Sequence, residues 1–303
     1  MAPDPHGLHH VTGIVRDGRA NVEFYAETLG LRFVKRTVDF EDRFTYHLQY
    51  GDATGSAGSV LTFFPFPDEA DGRIGRPQIA AVALSVPDDS LSYWRNRLRD
   101  RGVRVRDAER RFDERVLPLE DPDGTQIELV TGAGHTSPWD GPVPTAHGIR
   151  GIAGVSVLSA SPFVTASLLE TFGFERGGQD GDRVRYRSAR GVVDLIDREA
   201  AFGREGAGTI HHVAFGVPDV DALHRWRATL AGRDDVRVSY VTDRDFYHSL
   251  YVRDVGGVLF ELATEPIDLT VDDPAPGERL YLPQQFEEDR QLIESQLPPL
   301  DPP

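Results

Sequence analysis

The sequence predicts an α+β protein made of four copies of one module, grouped as two domains of two modules each. Three observations carry this expectation. Two phrases nearly repeat, "GLHHVTGIV" from Gly7 and "TIHHVAFGV" from Thr209. Four segments share one order of elements: a strand, a helix, then further strands. Two of them also end alike, with "DPDGTQIELVT" set against "DVGGVLFELAT". Internal repeats are read before single elements because they decide the architecture.

Module one covers residues 8–65. "HHVTGIV" alternates like a half-buried strand, "NVEFYAETLG" has helical apolar spacing, and "FTYHLQYG" and "SVLTFFPF" return to strands. Module two covers 78–131, with "IAAVALSVP" as strand, "SLSYWRNRLRDRG" as helix and "RVLPLEDPDGTQIELVT" as the closing strands. Module three covers 151–197, with "IAGVSVLS", "FVTASLLETFGFE", "RVRYRSA" and "GVVDLID". Module four covers 209–264, with "IHHVAFGVP", "VDALHRWRATLAG" and "HSLYVRDVGGVLFELAT". The glycines of "TLGL" and "TFGFE" stand where a helix must stop, and "DPDG" and "DVGG" mark turns before a last strand. The predicted domains are 1–134 and 151–264, joined by the Gly- and Pro-rich linker 135–150. A tail, 265–303, carries one short amphipathic helix in "PQQFEEDRQLIESQLPPL".

Composition narrows the function classes. The chain has 33 basic and 49 acidic residues, a net charge of −16. It shows no basic stripe, so nucleic acid is not an expected partner. No apolar run reaches the roughly 18 residues that span a bilayer. "MAPDPHG" lacks the basic start and apolar stretch of a signal peptide. There are no cysteines, which excludes disulfides and thiolate chemistry and agrees with a cytoplasmic protein away from membranes.

Four of the ten histidines fall in the two repeated phrases. His9 and His10 of module one align with Ala153 and Gly154 of module three. His211 and His212 of module four align with Ala80 and Ala81 of module two. Glu261 in "LFELAT" aligns with Glu128 in "QIELVT", while module one offers Phe63 in "VLTFFP". Adjacent residues on a strand point to opposite faces, so one histidine of each pair is expected on the concave side of a curved sheet. If modules one and four pack face to face, one histidine from each converges with Glu261. Two histidines and one carboxylate form the facial triad of non-haem Fe(II) sites, with open positions for substrate and O2. The same ligands admit Mn(II), Zn(II) or Ni(II). Glu128 has no histidine beside it and is not expected to bind metal. His47 in "TYHLQYG" reads as a packed strand residue rather than a third imidazole ligand.

The stretches "LHHVT", "FYAETLGLRFVKRTVDFED", "YHLQYGD", "GSAGSVLTFFPF", "IHHVAFGV", "DRDFYHSLYVRDVGGVLFELAT" and the closing "LP...FE..R..IE..LP.L" resemble ring-cleaving dioxygenases of the vicinal oxygen chelate superfamily. The resemblance spans nearly the whole chain and is strongest to the hydroquinone-type branch. It implies that the modules are βαβββ units paired into two incomplete, open β-barrels. It implies His10, His212 and Glu261 as metal ligands, with His9 and His211 supporting them, and pocket roles for Arg244 and Tyr251. It further implies Fe(II), or Mn(II), as the cofactor, a small aromatic diol and O2 as substrates, and a homo-oligomer. His248 in "DFYHSL" is less familiar in that branch. Two rivals belong to the wider superfamily: a glyoxalase-like isomerase or lyase on Zn(II) or Ni(II), and a non-catalytic binder of aromatic or antibiotic ligands. The isomerase reading calls for four protein ligands and the binder for none.

Overall fold

In a computed structural model the described residues are 5–265, 269 and 276–300. Module one contributes β1 (Leu8–Val15), α1 (Gly18–Val22), β2 (Arg32–Val38), β3 (Tyr46–Gly51) and β4 (Val60–Pro65). The Asp17 side chain caps α1 by accepting from the backbone N–H of Arg19 and Ala20. The helix runs on as a π-helical stretch, Glu23–Thr28. Gly30 then takes a left-handed φ of +72°, which ends the helical path. Module two contributes β5 (Gln78–Val86), α2 (Leu91–Asp100), β6 (Glu109–Arg111), β7 (Glu114–Glu120) and β8 (Gln126–Thr131). Module three contributes β9 (Ile152–Leu158), α3 (Pro162–Thr171), β10 (Glu175–Asp180), β11 (Arg183–Arg187) and β12 (Val192–Ile196). Module four contributes β13 (Thr209–Val217), α4 (Val220–Leu230), β14 (Val236–Val238), β15 (Thr242–Asp243), β16 (His248–Asp254) and β17 (Leu259–Thr264).

Each module closes the same way. Its first strand runs parallel to its last, as in β1 with β4 and β13 with β17, because the helix forms the crossover between them. The other strands of each module pair antiparallel. First strands then pair across modules: β1 lies antiparallel to β13, and β5 to β9. Module one therefore shares a sheet with module four, and module two with module three. This pairing crosses the division between residues 1–134 and 151–264. The result is a mixed α+β fold of βαβββ-like modules in two open, unclosed sheets, touching through the Ile79–Ile210 bridge.

Large aromatics fill the layer between sheets and helices. In module one Tyr25, Tyr50 and Phe63 cluster, with Tyr25 and Phe63 ring centroids 4.3 Å apart. Around α4, Trp226, Phe172, Phe215 and Phe260 do the same. Each such side chain contributes about 1.5–3 kcal/mol on burial. The described part of the tail carries a 3₁₀ stretch, Gln284–Asp289, and α5 (Arg290–Gln296); the rest of 265–303 lies outside the described residues. The described tail residues lie along the free edge of β2: Leu280 bridges Arg36, and Leu282, Ile293 and Leu297 pack on Val38. Among the described residues no helix is long and apolar enough to cross a membrane.

Candidate metal centre

The β1–β13 ladder places the two histidine pairs. Its register steps from Leu8–Phe215 to His10–Ala214, and from Thr12–His212 to Gly13–Ile210. His9 is thus the extra residue of one β-bulge and His211 of a second. Bulges bend a strand and re-aim its side chains, often beside functional sites. They also correct the expectation from strict alternation. The two rings of each pair are not turned to opposite faces but lie side by side, with Nδ1 of His9 2.8 Å from Nδ1 of His10 and the same 2.8 Å between His211 and His212.

Across the ladder three donor atoms converge. Nε2 of His10 lies 2.9 Å from Oε2 of Glu261, Nε2 of His212 lies 3.0 Å from the same oxygen, and the two Nε2 atoms are 3.4 Å apart. Ligands about 2.1 Å from one ion and sharing a face of its coordination shell stand about 3 Å apart, so this triangle has the size of a facial triad. All three side chains are buried, and neither oxygen of Glu261 receives a hydrogen bond from the described residues. A buried carboxylate without donors calls for a cation. Burial lowers His212 to about 4, which keeps its ring neutral near pH 7 with a lone pair free on one nitrogen. Burial would raise the Glu261 carboxyl, but His10 and His212 hold it well below the usual range, so it is ionised. The donor set therefore fits a divalent metal. Among the described residues it is the one cluster of this kind. If Nε2 of His10 and of His212 took a metal, Nδ1 of each would carry the proton and donate to His9 or His211, which would fix ring and tautomer.

A cavity of about 470 Å³ opens beside the triad. Thr12, His211, His212 and Tyr251 line it on the metal side, and Phe40, His47, Phe64, Phe246 and Tyr247 enclose it with aromatic faces. Tyr251 is opposite Glu261 in the β16–β17 register, and its ring stands 5.3 Å from that of His212. Burial raises its hydroxyl, so it stays protonated. Arg244 sits on the turn before β16, its guanidinium 5.6 Å from the Tyr251 ring and 3.9 Å from Glu41. His248 faces Asp243 at 3.8 Å and is not among the cavity-lining residues. Three residues not singled out from sequence join the site. Tyr247 lies 5.5 Å from the rings of both His9 and His10. Thr12 Oγ1 lies 3.0 Å from Nε2 of His212 and receives a hydrogen bond from Thr62 Oγ1 at 2.9 Å. Thr12 and Tyr247 stood within quoted motifs, but a motif does not say which face a residue takes.

Thr62 also corrects a sequence correspondence. Glu261 pairs with Ala214, two residues past His212, and the matching rung of module one is Thr12 with Thr62. Phe63 is one residue further and faces the other way, into the Tyr25 cluster, because a one-residue shift exchanges the faces of a strand. The slot for a fourth protein ligand thus holds a threonine.

The second barrel shows what the fold does without a metal centre. The same bulges recur at Ala80 and Ala153, so they belong to the architecture rather than to the histidines. The carboxylate rungs hold Glu128 and Asp194. Each is matched by an arginine: Arg111 Nη1 donates to Glu128 at 2.6 Å, and Arg185 holds Asp194 with two bonds of 2.8 and 2.9 Å. Arg111→Ala leaves Glu128 buried and unpaired, with an expected cost on the order of 3 kcal/mol. The double change Arg111→Leu with Glu128→Leu should recover most of it. Urea unfolding midpoints check both.

Residues 7–129 match the Glyoxalase/Bleomycin resistance protein/Dioxygenase superfamily. The chain is 38% identical to MhqO of Bacillus subtilis (strain 168), assigned as a ring-cleaving dioxygenase, over 99% of this chain and 98% of that protein. It is 32% identical to a chlorohydroquinone/hydroquinone 1,2-dioxygenase of Sphingobium indicum, over 88% and 87% of the two chains. A crystal structure from Bacillus subtilis assigned as a dioxygenase superposes with a TM-score of 0.95 at 38% identity, covering 100% of this chain and 99% of that one.

Proposed function

This chain belongs to the ring-cleaving dioxygenases of the glyoxalase/bleomycin resistance/dioxygenase superfamily, and from that premise we propose that it is an Fe(II)-dependent enzyme that opens the ring of a hydroquinone- or catechol-type diol with both atoms of O2. The observation that carries the proposal is the buried three-donor face of His10, His212 and Glu261, set in an aromatic-walled cavity with no fourth protein ligand among the described residues. The hydroquinone dioxygenase among its relatives supports an aromatic diol. The ion, Fe(II) or in its place Mn(II), supplies open coordination positions and the redox chemistry that couples an electron-rich ring to O2.

The chain's own residues do the rest. His10, His212 and Glu261 would hold the ion. His9 and His211 lock the ligand rings through Nδ1. Phe40, Phe64, Phe246 and Tyr247 sandwich a flat ring and keep water out. Tyr251 offers its hydroxyl proton to a substrate oxygen. The Arg244 guanidinium lines the cavity and would face the negative charge of a phenolate or of the carboxylate that ring opening produces.

The glyoxalase-like reading needs a carboxylate where Thr62 stands, and the binder reading leaves an unpartnered Glu261 without a purpose. The deciding experiment is anaerobic Fe(II) loading followed by oxygen-electrode traces with hydroquinone, substituted hydroquinones and catechol. Iron-dependent O2 uptake, mole for mole with loss of the aromatic absorbance, is expected. Tight stoichiometric Zn(II) or Ni(II) with no O2 uptake would replace the proposal with the isomerase reading.

A further inference from the structure

Among the described residues, the cavity wall away from the triad holds a buried polar group with nothing to bond. His47 lies on β3, two strands from β1, opposite Thr37 of β2 and one residue before Leu48, which pairs with Phe63 of β4. Its level in the sheet is that of Ile14, four residues along β1 from His10, and its side chain lines the same cavity as His212. The ring is fixed on both sides. It stacks on Phe64 with centroids 4.4 Å apart and planes at 24°. Its Nδ1 lies 3.3 Å from Nε2 of Gln49. The other nitrogen, Nε2, is buried, lacks a hydrogen-bond partner, and belongs to a side chain that lines the cavity.

We infer that His47 recognises the second hydroxyl of the substrate, at the ring position opposite the hydroxyl directed to His10, His212 and Glu261. This rests on the diol reading of the site. The Gln49 amide donates to Nδ1, so the neutral ring carries its proton on Nε2 and presents a donor to the cavity. Burial keeps the ring neutral. A buried donor without an acceptor is costly, and an oxygen arriving with the substrate removes that cost. An ortho-diol has both oxygens at the triad end of the ring and leaves Nε2 unmatched. A para-diol places its second oxygen at the far end, where Nε2 waits. His47 therefore determines specificity rather than taking part in the bond-breaking step, and its choice is for hydroquinones over catechols.

The test is anaerobic binding to the metal-loaded protein, comparing hydroquinone with 4-methylphenol, in which a methyl group replaces the second hydroxyl. Wild type is expected to prefer hydroquinone by about tenfold or more, the value of one buried hydrogen bond. His47→Phe keeps the stack on Phe64 and should erase the preference, with bound metal unchanged. His47→Gln, which retains an N–H donor, should restore part of it. In turnover the hydroquinone-to-catechol ratio of kcat/KM should fall in His47→Phe by a similar factor. Equal binding of the two phenols by wild type, or an unchanged preference in His47→Phe, overturns the inference. Absence of O2 uptake alongside an intact, His47-dependent preference would instead overturn the dioxygenase reading and leave the recognition role standing.

Discussion

His212→Ala is expected to abolish both metal binding and ring cleavage while leaving the fold in place. The first part follows from geometry. Removing one corner of a triangle with edges of 2.9, 3.0 and 3.4 Å leaves two donors, one from each of two distant strands. Two protein ligands do not hold a divalent ion against buffer and water, and activity should fall by at least about a thousandfold, roughly 4 kcal/mol of barrier. The second part follows from the other barrel. Module two carries Ala81 on the equivalent rung, next to the equivalent bulge, and its strand pairs normally. Alanine therefore suits the backbone at this place. Metal stoichiometry, O2 uptake and circular dichroism on the same preparation check the three parts. Full activity with metal retained would remove His212 from the ligand set.

Stripping the metal is expected to lower stability by several kcal/mol, and Glu261→Gln is expected to cancel that dependence. Glu261 is an ionised carboxylate, 1% exposed, with no hydrogen-bond donor on either oxygen. In metal-free protein the described groups nearest that charge are the His10 and His212 imidazoles, and burial holds His212 low. A ligand present at a thousand times its Kd stabilises the folded state by about 4 kcal/mol. Wild type should therefore unfold at a clearly higher temperature with Fe(II) or Mn(II) than after chelation. Glu261→Gln removes the buried charge, so its metal-free form should be no less stable than metal-free wild type, and added metal should not raise its midpoint. A wild-type midpoint that ignores both chelator and metal would show that no ion is held at this triad.

Much of this site was readable along the chain, and the part that was not has one cause. The histidine pairs, the last-strand glutamate and the Ala and Gly residues in the matching slots of other modules are features of repeats, visible by laying segments side by side. Glu128 has no histidine beside it in the sequence, and in the structure Arg111 pairs with it. Alignment of the last strands sets Phe63 against Glu261, one rung off, because an alignment of short strands tolerates a slip of one, while a ladder does not. The paired rings of His9 with His10 and His211 with His212 break period-two alternation, since a bulge is a property of two strands together. His47 read as packing, and it does pack on Phe64. Its bare Nε2 faces the cavity, and a sequence carries no record of where cavities lie.

The chain taken alone was enough for the four strand–helix–strand modules, the helix stops at Gly30 and Gly173, and the residue types of the metal face, because each depends on local periodicity or on comparison of one repeat with another. Folding in three dimensions settled the partner of each module, the two bulges that turn both histidines of a pair to one side, the rung on which Thr62 sits, and the wall that brings His47 and Tyr247 to the cavity. Those depend on hydrogen-bond registers between strands some 200 residues apart, such as Thr12 with His212. A shift of one residue there reverses every face without changing a single local preference.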